Sequence, residues 1–176
     1  MTFTLNLRRL LTRKFALWVE KVSFQLIGVA LILTIFKISI TSITIGMLWI
    51  YLSEVIWYLH PKTRGDESVS LFLLGAFTLY FSYIIGSPSI ALILKSFGIL
   101  LLIVGGVRTI WKVSAHTAGM SFMFAIASMF GHALLSIFAL LIIPIVSWSR
   151  LKLKRHTLMQ VIVGMILGMI IPMLLI

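Results

Sequence analysis

Residues Ile90 to Val107 read "IALILKSFGILLLIVGGV", eighteen residues with one charge, Lys95. A helix that crosses a bilayer needs about 20 mostly apolar residues, and a soluble helix rarely shows so few polar positions. This stretch therefore reads as a transmembrane span. Six further stretches read the same way: Val22–Ile40, Ile43–Leu59, Val69–Gly86, Thr117–Phe130, Ala133–Trp148 and Leu158–Ile176. The breaks between them have physical causes. "HPKTRGDES" carries Pro, Gly and charge, "GSPS" is a turn signal, and Gly131–His132 is a weaker break between two short spans.

The whole composition agrees. Of 176 residues, 61% are hydrophobic and 11% charged, too little charge for a soluble domain. The expected fold class is all-α, a polytopic transmembrane bundle of about six or seven helices. No internal repeat is evident. The expected organisation is a basic N-terminal segment, 1–21, followed by one membrane domain, 22–176. The opening "MTFTLNLRRLLTRK" shows no signal-peptide cleavage site. It reads as an amphipathic helix at the membrane surface or, equally, as a flexible basic tail.

The net charge of +11 does not point to nucleic acid. Its cations sit in short loops between apolar runs, where anionic lipid headgroups are the natural partner. Without Cys there are no disulfides or thiolate metal sites. Four acids, Glu20, Glu54, Asp66 and Glu67, are too few and too scattered for a carboxylate metal cage.

If every span crosses, the N-terminus and the loops near Lys62, Lys112 and Arg150 share one side. That side holds Arg8, Arg9, Arg13, Lys14, Lys21, Lys62, Arg64, Arg108, Lys112, Arg150, Lys152, Lys154 and Arg155; the other holds Lys37 and Lys95. The split of 13 to 2 places the basic side in the cytoplasm by the positive-inside rule. The expected location is the cell membrane, multi-pass, with this face cytoplasmic.

Polar groups with chemistry gather on the same side. "KVSAHTAG" supplies Lys112, Ser114 and His116; "SWSRLKLKRHTLMQ" supplies Ser149, Arg150, His156 and Gln160; "HPKTRGD" supplies His60, Lys62, Arg64 and Asp66. Two of these stretches open a helix, where free N–H groups and the dipole favour an anion. Arg and Lys beside them make a phosphate cradle, and two His offer a nucleophile and a proton donor.

"SRLKLKRHTLMQ" resembles the third signature of the type 2 phosphatidic acid phosphatase superfamily, which includes vanadium haloperoxidases: Ser-Arg, five residues, His, three residues, Asp. "VSAH" resembles its second signature, Pro-Ser-Gly-His. The likeness covers roughly residues 60–170, with both signatures in order on one membrane face. It implies that His156 attacks phosphorus to form a phosphohistidine and that His116 protonates the leaving oxygen. It also implies that Arg150 and Ser114 hold phosphate oxygens and that no metal or other cofactor is needed. Val113 and Ala115 replace Pro and Gly of the second signature. The first signature, Lys, six residues, Arg-Pro, is absent as written; Lys62 and Arg64 lie where it belongs, and Lys112 and Arg108 are rivals. Gln160 stands where the family has Asp. Four residues after His156, it shares that residue's helix face, and its carbonyl oxygen is expected to orient the imidazole.

Other features have plainer readings. His60 and His132 read as interfacial residues, and "KLKR" at 152–155 as a lipid-facing basic loop. Gly164 and Gly168 read as a helix-packing face, and the Met-rich stretches as apolar filler. His116 and His132 lie too far apart on one helix, about 24 Å, to share a haem. The expected activity is hydrolysis of a lipid phosphate or diphosphate monoester, of the phosphatidic acid, phosphatidylglycerophosphate or isoprenyl diphosphate class. The expected partners are that substrate and membrane lipids, not nucleic acid, with self-association left open. The alternatives are a non-catalytic relative that binds lipid phosphate, or a small transporter. A transporter calls for ionisable groups at mid-membrane depth, and Glu54 and Lys95 lie near span ends.

Overall fold

The computed structural model describes residues 12–20, 22–23, 64–84 and 87–176, with Arg64, Gly65 and Asp66 described by backbone alone. The expected spans Val22–Ile40 and Ile43–Leu59 lie, beyond Ser23, outside the described residues. Among the described residues the regular structure is all helix. The main elements are α1 (Arg64–Ile84), α2 (Pro88–Ile110), α3 (Ala115–Met129), α4 (Ala133–Lys152) and α5 (Leu158–Leu175). A further helical stretch, 12–20, lies near the N-terminus.

Four segments, Glu67–Ile84, Pro88–Ile110, Ala133–Lys152 and Leu158–Leu175, are long and apolar enough to cross a bilayer. Their outward faces carry large apolar side chains, among them Leu134, Leu141, Ile166 and Met173. So much exposed apolar surface is costly in water and suits hydrocarbon. This is the build of a membrane protein.

α3 departs from the expected span. At 15 residues it is about 22 Å long, short of the roughly 30 Å hydrocarbon core. Eleven of its residues are buried, because it runs inside the bundle against α2, α4 and α5. A helix wrapped by protein has no need to match the bilayer. Phe97, Leu100 and Val104 of α2, Phe122 and Ile126 of α3, and Ile143 and Val146 of α4 form the core with it. The Phe97 and Phe122 rings pack tilted at 5.0 Å, a favourable aromatic geometry. Hydroxyls within the helices bond back to the preceding turn, as Thr78 does to Leu74 at 2.7 Å and Ser96 to Leu92 at 2.8 Å, which satisfies them without water.

α5 lies unusually close to α3. A Cβ placed on Gly168 would sit 2.0 Å from the Ala118 carbonyl oxygen, and one on Gly164 2.5 Å from that of Ser114. Only glycine permits this approach, so the small-residue face expected from sequence packs on α3. Its effect is to bring the starts of α3 and α5 together, and with them the two His stretches.

Candidate active site

Each His is delivered by a short reversal of the chain. After α2, Trp111 N–H bonds the Val107 carbonyl and Val113 N–H bonds that of Trp111, both at 2.7 Å. Arg108 Nη1 reaches over to the Val113 carbonyl at 3.0 Å, and its Nη2 pairs with Glu67 of α1. This turn hands Ser114 to the N-cap of α3, where its oxygen accepts from Thr117 N–H. His116 follows in the first turn of α3, buried. After α4, Leu153, Lys154 and Arg155 N–H groups take the carbonyls of Ser149, Leu151 and Arg150. Lys154 turns left-handed at φ 53°, a common way to end a helix. The reversal leaves His156 in the loop, one residue before the Thr157 cap of α5.

Three bonds lock the two loops together. Ser114 N–H donates to the Gln160 carbonyl at 3.1 Å, and Thr117 Oγ1 to the Val161 carbonyl at 3.2 Å. His156 Nδ1 lies 2.9 Å from the Lys112 carbonyl oxygen. A carbonyl can only accept, so Nδ1 carries the proton and Nε2 keeps its lone pair. Burial, and after it the positive charges of Arg108, Arg150 and Lys112, lower the His156 pKa to about 4, against the raising effect of the Lys112 carbonyl. At neutral pH the imidazole is uncharged. Arg150, His156 and Arg108 all lie within electrostatic range of His116.

Arg150, in the last turn of α4, is 2% exposed. Its Nη1 donates to Glu20 Oε1 at 2.6 Å. Its Nε and Nη2 are buried with no hydrogen-bond partner. A planar guanidinium presents Nε and Nη2 along one edge, the fork that takes a carboxylate or phosphate bidentately.

The chain matches no protein-family model, no curated protein and no solved structure. Its site therefore has to be read from its own geometry.

His156, His116, Arg150, Ser114 and Lys112 meet at one end of the bundle, as their loops required. Arg64 opens α1, and Lys62 lies outside the described residues. Arg108 braces the α2–α3 turn and reaches both His with its charge. Ser114 spends its oxygen on the helix cap, which leaves its hydroxyl proton as a donor. Gln160 departs from its expected role. Its Oε1 accepts from Thr157 N–H at 3.0 Å, and its own N–H points to Thr157 Oγ1 at 3.4 Å. The pair forms a reciprocal capping box, and the Lys112 carbonyl, not Gln160, orients His156. The Thr157-Leu-Met-Gln160 spacing is a capping-box signature that announces this use. The sequence reading also passed over Glu20, because nothing local ties a residue of the N-terminal segment to α4.

Proposed function

We propose that this chain is an integral membrane phosphatase, a relative of the type 2 phosphatidic acid phosphatases, that hydrolyses a lipid phosphate or diphosphate monoester through a phosphohistidine at His156. The observation that carries the reading is the unpartnered Nε–Nη2 edge of the buried Arg150 beside two His. A buried donor left unsatisfied costs about 1–3 kcal/mol, more when charged. A phosphate bridging that edge removes the cost and gains a charge-assisted pair.

The chemistry follows from the two imidazoles. Neutral His156 attacks phosphorus with Nε2; the N–P bond forms as the bond to the leaving oxygen breaks. Burial and the charges of Arg150 and Arg108 keep His116 neutral at rest; the negative charge of the bound phosphate favours its taking up a proton, which it then gives to that oxygen. Arg150, the Ser114 hydroxyl and the Lys112 ammonium hold the phosphoryl oxygens as charge moves onto them. Water then attacks phosphorus, its proton passes to His116, and the P–N bond breaks to free phosphate and restore Nε2. The Lys112 carbonyl supports the imidazolium character of His156 during both steps but brings no full negative charge. The site sits at the end of an apolar bundle, so a headgroup can enter while its tail stays in the bilayer. The excess of cations at this end favours the cytoplasmic face.

Phosphate release from phosphatidic acid, phosphatidylglycerophosphate and an isoprenyl diphosphate, in detergent with and without a chelator, tests the reading. The expected result is chelator-resistant release from at least one of them, abolished in His156→Ala. No release, together with vanadate or lipid-phosphate binding, would favour a non-catalytic phosphate receptor. Release that survives His156→Ala would reject the mechanism.

A further inference from the structure

Glu20 lies outside every motif resembling the phosphatase signatures, on a segment whose sequence reads as a membrane-surface helix or, equally, a flexible basic tail. Its placement is nevertheless fixed. Residues 12–20 are helical, and Ala16, Val19 and Glu20 share one face by their spacing of three and four. Ala16 and Val19 are buried, while Arg13, Lys14, Leu17 and Trp18 face outward. Ser149 Oγ donates to the Ala16 carbonyl at 2.7 Å, which pins the segment on the last turn of α4. Glu20 then meets Arg150 at 2.6 Å, and Arg155 Nε at 3.9 Å. Its main chain also lies near the His116 ring.

The edge that Glu20 uses decides what the contact does. Its oxygen takes Nη1 alone, and the Nε–Nη2 fork stays open and buried. A carboxylate seated in the phosphate position would take the fork. Resting on the phosphatase reading above, we propose that Glu20 is a positioning residue: it clamps Arg150 from the Nη1 end and turns the bidentate fork toward the substrate phosphate. The N-terminal segment thereby completes the catalytic site. Orientation needs only the acceptor, and the charge serves the stability of the resting protein. A guanidinium this enclosed needs a counter-charge when no substrate is bound, and Glu20 supplies it without occupying the substrate's edge.

The test uses the full chain in detergent, with kcat and KM for the lipid phosphate that the wild type hydrolyses, and inorganic vanadate binding as a second readout. Glu20→Gln keeps the acceptor and should retain most of kcat. Glu20→Ala should lower kcat about tenfold or more, the usual scale for losing a group that orients a catalytic residue. In that variant KM and vanadate affinity should hold or improve, since a negative charge near the anion has gone. In an Arg150→Ala background, Glu20→Ala should add little, because the two act as one unit. Unchanged kcat in a folded Glu20→Ala, a gain in kcat/KM as expected of a plug, or additivity with Arg150→Ala would each overturn the proposal. A wild type that neither hydrolyses lipid phosphates nor binds vanadate would instead sink the phosphatase reading itself. Should Glu20→Ala fail to fold, Glu20→Gln carries the decision: a loss as large as that of Arg150→Ala would contradict a clamp that needs only an acceptor.

Discussion

His156 is held by main chain: the Lys112 carbonyl fixes its Nδ1, and the two loops are tied by bonds from Ser114 and Thr117. Arg150 is held by a side chain from 130 residues earlier in the chain. The His156 half of the site is built from rigid helix starts pressed together by Gly164 and Gly168. The Arg150 half depends on one ion pair across to a separate helical segment. Backbone ties at a glycine contact move only if two helices move. An ion pair fixes direction at a charged edge and can be tuned by a single side chain. The two halves should therefore fail differently when broken.

The largest effect is expected at the glycine contact. Gly164→Ala pushes a methyl against the Ser114 carbonyl and Thr117 Oγ1, so the two His loops must part. Overpacking of this kind costs about 1–3 kcal/mol, and a displacement near 1 Å at a reacting group lowers kcat about 10²-fold. Thermal unfolding in detergent and steady-state kinetics measure both. Gly106→Ala on α2 sharpens the contrast: the nearest atom to a Cβ there is 3.9 Å away, so stability should hold or rise slightly.

Acid sensitivity separates the halves in another way. On the proposed mechanism His156 must be neutral to attack, and burial and its neighbouring cations lower its pKa to about 4, below the ordinary 6.5. The nucleophile thus stays competent as pH falls through 6 and 5, and is lost only as pH passes through about 4. The acid limb of kcat/KM, which reports the free protein, should lie near 4. A limb near 6.5 would mean that burial and the three cations do not hold the ring neutral.

The smallest effect is expected at Gln160. Gln160→Leu removes half of a capping box and should cost about 1 kcal/mol of stability, with kcat changed less than about threefold, because Lys112 and not Gln160 orients the ring. A loss of 10²-fold would return the orienting role to Gln160.

These contrasts also mark what the sequence disclosed. Of the seven spans that the apolar runs predict, four are long and apolar enough among the described residues, and loop parity puts His116 and His156 at one end of the bundle. Arg150 was legible because it sits six residues before His156 with a Ser ahead of it. The orienting Lys112 carbonyl was not, since every residue owns a carbonyl and only the fold decides which one is aimed. Gln160 misled because two local rules compete for it. Its spacing of four from His156 suggests a shared helix face, while its spacing of three from Thr157 builds a cap, and the cap prevails because His156 lies outside the helix. Glu20 was invisible for a different reason: a contact spanning 130 residues leaves no trace in local spacing. α3 read as a short membrane span because its residues are apolar, and a helix buried in protein has the same composition.

The central claim is a covalent phosphate on one imidazole nitrogen, and trapping tests it most directly. The protein is mixed with a lipid phosphate labelled with ³²P, quenched within its turnover time, and digested to locate the label. The account predicts a base-stable, acid-labile phosphoryl group on His156, absent from His156→Ala and accumulating in His116→Ala when the leaving group is good. Label on another residue, or turnover in the wild type with inversion at phosphorus and no trapped intermediate, would contradict it.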